Sequence, residues 1–437
     1  MMRMMKKLLG ILCFCLLAGM SPVQAAEAGH SSAFHEQYQL EKMLVLSRHN
    51  IRSPLGSKLQ QLTPHTWFSW TSAPGELSLR GGQLETIMGQ YFRKYLVQEG
   101  LMQENEQPRE GEMRFYANSM QRTIATAQYF SSGMLPVANV RIEHKFAPSK
   151  MDPVFNPVMT FMSDAYQAEI QQEMSAMGGP EGLQGIGRRL SGSYQLLEEV
   201  LDLKQSQAAK TGQLAHFRTD DVELVTVLGD GPYVLHSLQT AIGASDALVL
   251  QYYEEENADK AAFGHRLTME QWQEISRVKD DGMDFLCGAP PVAVNLAHPL
   301  LQVMQDELAL DTRKFTFLCG HDSNLTSVLA ALEAEPYALP QSVERKTPIG
   351  SKIVIEKWRG RDGAAYASVN LVYQSAEQLR SRTMLSLDTP PMIYPLSFTG
   401  LTKNADGLYL FTDVQQRFQK ALDAYDRMAR EAQEPAA

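Results

Sequence analysis

An α/β fold is the class this sequence predicts: a mixed central sheet flanked by helices, with an inserted mainly α-helical cap domain. Three observations lead there. An apolar run that ends in a polar, chemistry-bearing segment recurs at Met43–Ser47, Met113–Ala117 and Phe315–Cys319. From about Met151 to Pro291 the chain is instead rich in helix formers. Two further strand-like runs, Lys352–Glu356 and Ser368–Tyr373, follow the last of the three units. In open α/β sheets ligands gather at the carboxyl ends of strands, so the three polar segments are expected to converge although long stretches of chain separate them.

The elements follow in order. Strand Met43–Ser47 leads directly into Arg48-His49-Asn50-Ile51-Arg52-Ser53-Pro54. A helix is expected from Leu79 to Glu99, capped by Ser78 and ended by Gly100, with Leu84, Ile87, Met88 and Tyr91 as its apolar stripe. Strand Met113–Ala117 passes into a helix from Ser119 to Phe130, with Ser119 as the cap and Arg122 in the first turn. Strand Phe315–Cys319 ends in Gly320-His321-Asp322-Ser323-Asn324, and Leu325–Leu332 reads as helix. The α/β domain is therefore expected over residues 38–150 and 291–430, and the cap over 151–290. Residues 431–437 read as a loose tail.

The N-terminus has the pattern of a secretory signal peptide over residues 1–25. Arg3, Lys6 and Lys7 form a basic head, Leu8–Ala18 a short apolar stretch, and Val23-Gln24-Ala25 offers small residues for cleavage. The apolar stretch is too short for a bilayer span. Leu12 and Phe14 stand before Cys13 and Cys15 where a lipoprotein signal needs a small residue, so no membrane anchor is expected in the mature, periplasmic form. Without that segment Cys287 and Cys319 remain; they are expected to be free, packed thiols. The formal net charge of −10 becomes −13 once Arg3, Lys6 and Lys7 are removed, which argues against nucleic acid as a partner. A small phosphorylated substrate stays open, because arginines in a cleft can reverse the local field.

Arg48-His49-Asn50-Ile51-Arg52 puts an imidazole between two fixed cations. That is unfavourable for an imidazolium and makes sense if an anion completes the arrangement. A phosphate or carboxylate would pair with both guanidinium forks, leaving a largely neutral histidine to act as nucleophile or base. Phosphoryl transfer needs its non-bridging oxygens neutralised. Arg48, Arg52 and Arg122 supply the forks, and Arg122 stands near a helix N-terminus that also favours an anion. The alkoxide of a sugar is a poor leaving group and needs a proton; Asp322, next to His321, is the best acid of the set. It must be protonated when substrate binds, so mildly acidic pH is expected to suit the reaction. Each piece alone has a plainer reading: a strand-terminal Arg-His pair is usually a surface salt bridge, and a His-Asp pair usually a cap. His-Asp also occurs in metal phosphohydrolases, but the further histidines that chemistry needs are not spaced for it.

Taken together, Arg48-His49-x-x-Arg52-x-Pro54 and His321-Asp322 resemble the histidine acid phosphatase family of the histidine phosphatase superfamily. The resemblance runs over nearly the whole chain after the leader. It is nearer to the bacterial periplasmic glucose-1-phosphatases than to the phytases, on segments such as Tyr116-Ala117-Asn118-Ser119-Met120-Gln121-Arg122, Met151-Asp152-Pro153 and Leu250-Gln251-Tyr252-Tyr253-Glu254. It implies a helical domain over the cleft, no metal and no other cofactor. It also implies His49 as nucleophile, Asp322 as proton donor, and Arg48, Arg52, Arg122 and His321 as phosphate ligands. Glu254 is implied at the cleft mouth, where it would repel a polyanion more than a singly phosphorylated sugar; an acidic turn in solvent is the plainer reading of Glu254-Glu255-Glu256. The pattern departs in cysteines, since enterobacterial relatives usually carry several disulfides. Competing expectations are a phytase of the same mechanism and a non-catalytic phospholigand-binding protein.

Overall fold

The computed structural model describes residues 30–433 apart from 57 and 148. The leader at 1–25 and residues 434–437 lie outside the described residues. The strands are β1 (Tyr38–Arg48), β2 (Met113–Ala117), β3 (Leu224–Val225), β4 (Tyr233–Val234), β5 (Phe315–Gly320), β6 (Lys352–Gly360), β7 (Ala365–Tyr373), β8 (Met392–Pro395) and β9 (Tyr409–Leu410). All but β3 and β4 form one mixed sheet in the order β2-β5-β1-β6-β7-β8, with β9 also on β7. The pairs β2–β5 and β5–β1 are parallel, and β1–β6 and β6–β7 are antiparallel. The register sets Ser47 and Ala117 opposite Cys319, and Arg48 opposite Gly320. The three polar segments of the sequence therefore leave the sheet side by side.

The helices are α1 (Ser32–Gln37), α2 (Leu79–Gln98), α3 (Gln121–Met134), α4 (Asp164–Ala176), α5 (Leu183–Arg189), α6 (Ser191–Val200), α7 (Gln207–Lys210), α8 (His236–Glu254), α9 (Ala258–Ala261), α10 (Met269–Cys287), α11 (Pro290–Ala309), α12 (Asp322–Ala331), α13 (Ala376–Ser381) and α14 (Phe411–Glu431). Side chains of a strand alternate between faces. Along β1, Met43 and Val45 join an apolar core with residues of α2 and α3. Leu44 and Leu46 join the core on the other face, with α11, α12 and α14. Residues of α4 to α10 gather around a third core built on Ile170, Tyr194, Leu248, Trp272 and Ile275. Cys287 sits in that third core and Cys319 under α2 and α3, both buried free thiols.

Several local expectations sharpen. Ser78 caps α2 as expected, its hydroxyl accepting from the Gly81 amide. Ser119 does not cap α3. The helix starts at Gln121 after Met120, and the Ser119 hydroxyl instead accepts from the Phe146 amide. The helix after β5 begins at Asp322 rather than Leu325, because the Asn324 side chain accepts from the His321 amide and folds the turn into the first helical residues. The segment before residue 431 is ordered as α14, whose Phe411, Val414 and Phe418 are buried.

Candidate active site

The motif after β1 extends the ladder. The Arg48 amide donates to Ser351 O at 2.9 Å and the His49 amide to Gly320 O at 3.0 Å. On the far side of β5, the Asn118 amide donates to Cys319 O at 2.9 Å. Asn50 then anchors the turn: its Nδ2 donates to Glu85 Oε1 at 2.8 Å, and Lys352 Nζ lies 3.1 Å from the same carboxylate, all of it buried. Gly350 has φ +70°, and a Cβ there would collide with the Asn50 side chain, so the turn admits glycine alone without displacement.

His49 is buried, and its Nδ1 lies 2.8 Å from the Asn50 carbonyl oxygen. A carbonyl only accepts, which assigns the proton to Nδ1 and leaves the lone pair on Nε2. Burial, followed by Arg122, Arg52, His321 and Arg48, holds the ring well below the usual histidine range, so it is neutral in mild acid. The His321 ring stands edge-on, its centroid 5.5 Å from that of His49. Asn118 Oδ1 accepts from the Asp152 amide at 2.9 Å, so Asn118 Nδ2 is the group facing His321 Nε2, at 2.7 Å. Nε2 must then be the acceptor, and the neutral ring carries its proton on Nδ1. Burial and the Arg122 charge push His321 down to about 3.

The arginines differ in their partners. Arg48 is buried, with Nη1 2.5 Å from Glu344 and 2.6 Å from Thr347 O, and Nη2 3.3 Å from Asp322. Arg52 Nη2 is 2.9 Å from Asp246 on α8. Arg122 has no carboxylate partner among the described residues. Its nearest polar contacts are Gly75 O and His321 Nδ1, each at 3.4 Å. Burial and Arg52 depress it to about 10, which still leaves it charged in acid. A buried guanidinium without a counter-ion is costly, so this is where an added anion gains most.

Asp322, at the first position of α12, is 2.9 Å from Lys279 Nζ. Burial would raise its carboxyl, but Lys279 and Arg48 outweigh it and hold the group well below the usual carboxylate range. Lys279 comes from α10 and also reaches Asp246 at 3.2 Å and Glu344 at 3.3 Å. Burial and Arg48 oppose its charge; Asp322, Asp246 and Glu344 prevail and lift it above the usual lysine range. The cluster thus holds four cations, Arg48, Arg52, Arg122 and Lys279, against the three carboxylates Asp246, Asp322 and Glu344. It has one net positive charge and a free imidazole nitrogen.

Six of the seven sequence-predicted residues meet here: Arg48, His49, Arg52, Arg122, His321 and Asp322. Glu254 does not join them. Its carboxylate accepts from Ser78 Oγ at 2.8 Å. Burial raises its carboxyl, opposed by Ser78, Arg80 and Arg382. Along α8 it lies eight residues past Asp246, roughly 12 Å at the helical rise. Lys279, Asp246 and Glu344 escaped the sequence reading. Two of them left a trace: Asp246 interrupts an apolar helix face, and Lys279 continues the buried row of Trp272, Ile275 and Ser276. Beside the cluster runs an open groove lined by Leu55, Lys58, His216, Arg218, His236 and Gly243. Gly243 is one turn from Asp246 on α8, and Leu55 follows Arg52 by three residues.

The family described as "Histidine phosphatase superfamily (branch 2)" matches residues 39–181 and 238–374, well over half of the chain. The chain belongs to that family. The interruption in the match, residues 182–237, takes in α5 to α7, β3, β4 and the first residues of α8. Among curated relatives, a glucose-1-phosphatase of Providencia rettgeri is 36% identical over 422 residues, covering 94% of this chain and 99% of that one. A glucose-1-phosphatase of Salmonella typhimurium is 37% identical over 379 residues, covering 85% and 90%. Among solved structures, the phytase from Citrobacter braakii superposes with a TM-score of 0.79 at 25% identity, covering 88% of this chain and 98% of that one. This histidine phosphatase has the α/β architecture with flanking helices expected from the sequence. None of its described helices is long and apolar enough to cross a membrane.

Proposed function

We propose that this histidine phosphatase is an exported acid phosphomonoesterase that hydrolyses sugar phosphates such as glucose 1-phosphate through a phosphohistidine on His49. One observation carries the reading: a neutral imidazole with a free Nε2 stands among buried cations, of which Arg122 has no carboxylate partner. The phosphate of a monoester fills the gap. Arg48, Arg52 and Arg122 bind its non-bridging oxygens, and His321 donates to one of them from Nδ1. His49 Nε2 attacks phosphorus, the P–O bond to the sugar breaks, and the sugar oxygen takes a proton from Asp322. Water then attacks the phosphohistidine; Asp322 accepts its proton, and phosphate and free His49 are restored.

In the free protein Asp322 is ionised. Two steps reconcile that with its role as acid. The monoanionic form of the ester brings a proton with it, since the second ionisation of a phosphate monoester lies near about 6. The remaining phosphate charge then cancels the field of Arg48 and Lys279, and the proton passes to Asp322. The reaction accordingly suits mildly acidic pH, while His49, held low, stays unprotonated there. Residues 151–290 act as a cap that delivers Asp246 and Lys279 to the cluster. Of the acidic residues on α8, Asp246 contacts the cluster directly, and we take it, rather than Glu254, as the carboxylate that disfavours a substrate bearing further phosphates.

The curated relatives named above favour glucose 1-phosphate; the phytase likeness supports inositol hexakisphosphate as the second candidate. A panel of glucose 1-phosphate, inositol hexakisphosphate and an aryl phosphate, scanned over pH with and without chelator, tests the proposal. It expects glucose 1-phosphate to be turned over best, below neutral pH, with the chelator making no difference. Binding of sugar phosphates with no hydrolysis of any of the three would replace it with a phospholigand-binding protein.

A further inference from the structure

The N-terminal end of the described chain carries a second cluster, away from the anion site. His30, His35 on α1 and Glu99 just past α2 each aim one donor atom at a common point, and these atoms lie within 4.8 Å of one another. Glu99 Oε1 is 3.4 Å from His30 Nδ1, and Glu99 Oε2 is 2.8 Å from His35 Nε2. The Glu99 side chain has no exposed surface, and among the described residues it has no lysine or arginine partner. A buried carboxylate without a fixed positive charge is costly. Only His30 and His35 offset it, holding the Glu99 carboxyl below its usual range against burial, while nearby Tyr95 donates instead to Glu356, itself a buried carboxylate.

We propose that His30, His35 and Glu99 bind a divalent transition-metal ion, zinc by choice of donors, which fastens the N-terminal segment to the end of α2. Two imidazoles and one carboxylate with a fourth position open to water is a zinc-type donor set. Tetrahedral bonds of about 2.0–2.2 Å put ligand atoms roughly 3.4 Å apart; the His30–Glu99 contact already stands at 3.4 Å, the His35–Glu99 contact must open from 2.8 Å, and all three donor atoms lie within 4.8 Å. His30 is already oriented, stacked on Phe34 at 3.9 Å and edge-on to Trp358 at 4.8 Å. His35 is exposed, which leaves a path for the ion. Bound metal supplies the positive charge that Glu99 lacks and closes a loop between residues 30 and 99. The cluster sits at the far end of α2 from Ser78, about 30 Å away along a helix of 20 residues. Its occupancy is therefore independent of the phosphatase chemistry.

The test uses the untagged protein, freed of metal with a chelator. Titration with zinc should give one site by calorimetry, and zinc at about a hundred times its Kd should raise the thermal midpoint. Nickel, a quencher, should dim the Trp358 emission at the same stoichiometry. The surface change His35→Ala should weaken zinc at least about tenfold, and the pair His30→Ala with His35→Ala should abolish both the site and the thermal shift, with sugar phosphate hydrolysis unchanged. Zinc bound equally by the double variant, or no zinc bound by the parent, overturns the proposal.

Discussion

Replacing Lys279 with methionine isolates the step that makes Asp322 work. The ammonium lies 2.9 Å from the Asp322 carboxylate. At an effective dielectric of about 20, unit charges that close attract by about 6 kcal/mol. Arg48, 3.3 Å away, remains to hold part of the ionised form, and the Asp322 side chain is 18% exposed, so solvent absorbs some of the loss. An opposite charge at such range typically lowers a carboxyl by about 1–3 units. Lys279 depresses Asp322, so its removal raises Asp322 and keeps the proton on it to higher pH. At saturating sugar phosphate, kcat reports groups in the complex. The alkaline limb of kcat should therefore move up by about 1–3 pH units in Lys279→Met. The variant also leaves Asp246 and Glu344 short of a cation, which can cost about 3–5 kcal/mol of stability. Thermal unfolding and Lys279→Arg, which keeps the charge and should keep the parent profile, separate that effect. An alkaline limb that stays in place in folded Lys279→Met would refute the reasoning.

The other expectations are simpler. Asp322→Asn should lower kcat on glucose 1-phosphate by about 10²–10⁴-fold, but much less on p-nitrophenyl phosphate, whose leaving group needs no proton; equal losses on the two would remove Asp322 as the acid. Asp246→Asn should raise turnover of inositol hexakisphosphate relative to glucose 1-phosphate, whereas Glu254→Gln should leave that ratio unchanged, because Asp246 touches Arg52 and Lys279 and Glu254 is tied to Ser78. A ratio that follows Glu254 instead would return the specificity role to it.

What the sequence made legible was whatever chemistry sits at a strand end. Apolar runs mark β1, β2 and β5, and parallel pairing in register brings Arg48, Asn118 and His321 side by side. What it concealed came from the helices. A heptad step from Trp272 reaches Lys279, yet periodicity marks only that Lys279 is buried, not what it faces. Glu344 lies in a loop and has no pattern at all. Glu254 drew notice because the resemblance places it at the cleft mouth, but eight residues of helix carry it roughly 12 Å along α8 from Asp246, and of the two only Asp246 touches the cluster. Ser119 failed as a cap because the chain makes one more extended residue, Met120, before it turns, and Phe146 claims its hydroxyl.

The account stands or falls on the covalent intermediate. Rapid mixing with radiolabelled phosphate ester, quenched in denaturant, should trap one phosphoryl group on His49, stable to base and labile to acid. His49→Ala should trap none and lose more than about 10⁴-fold in kcat. A fully active His49→Ala, or label trapped on another residue, would contradict it.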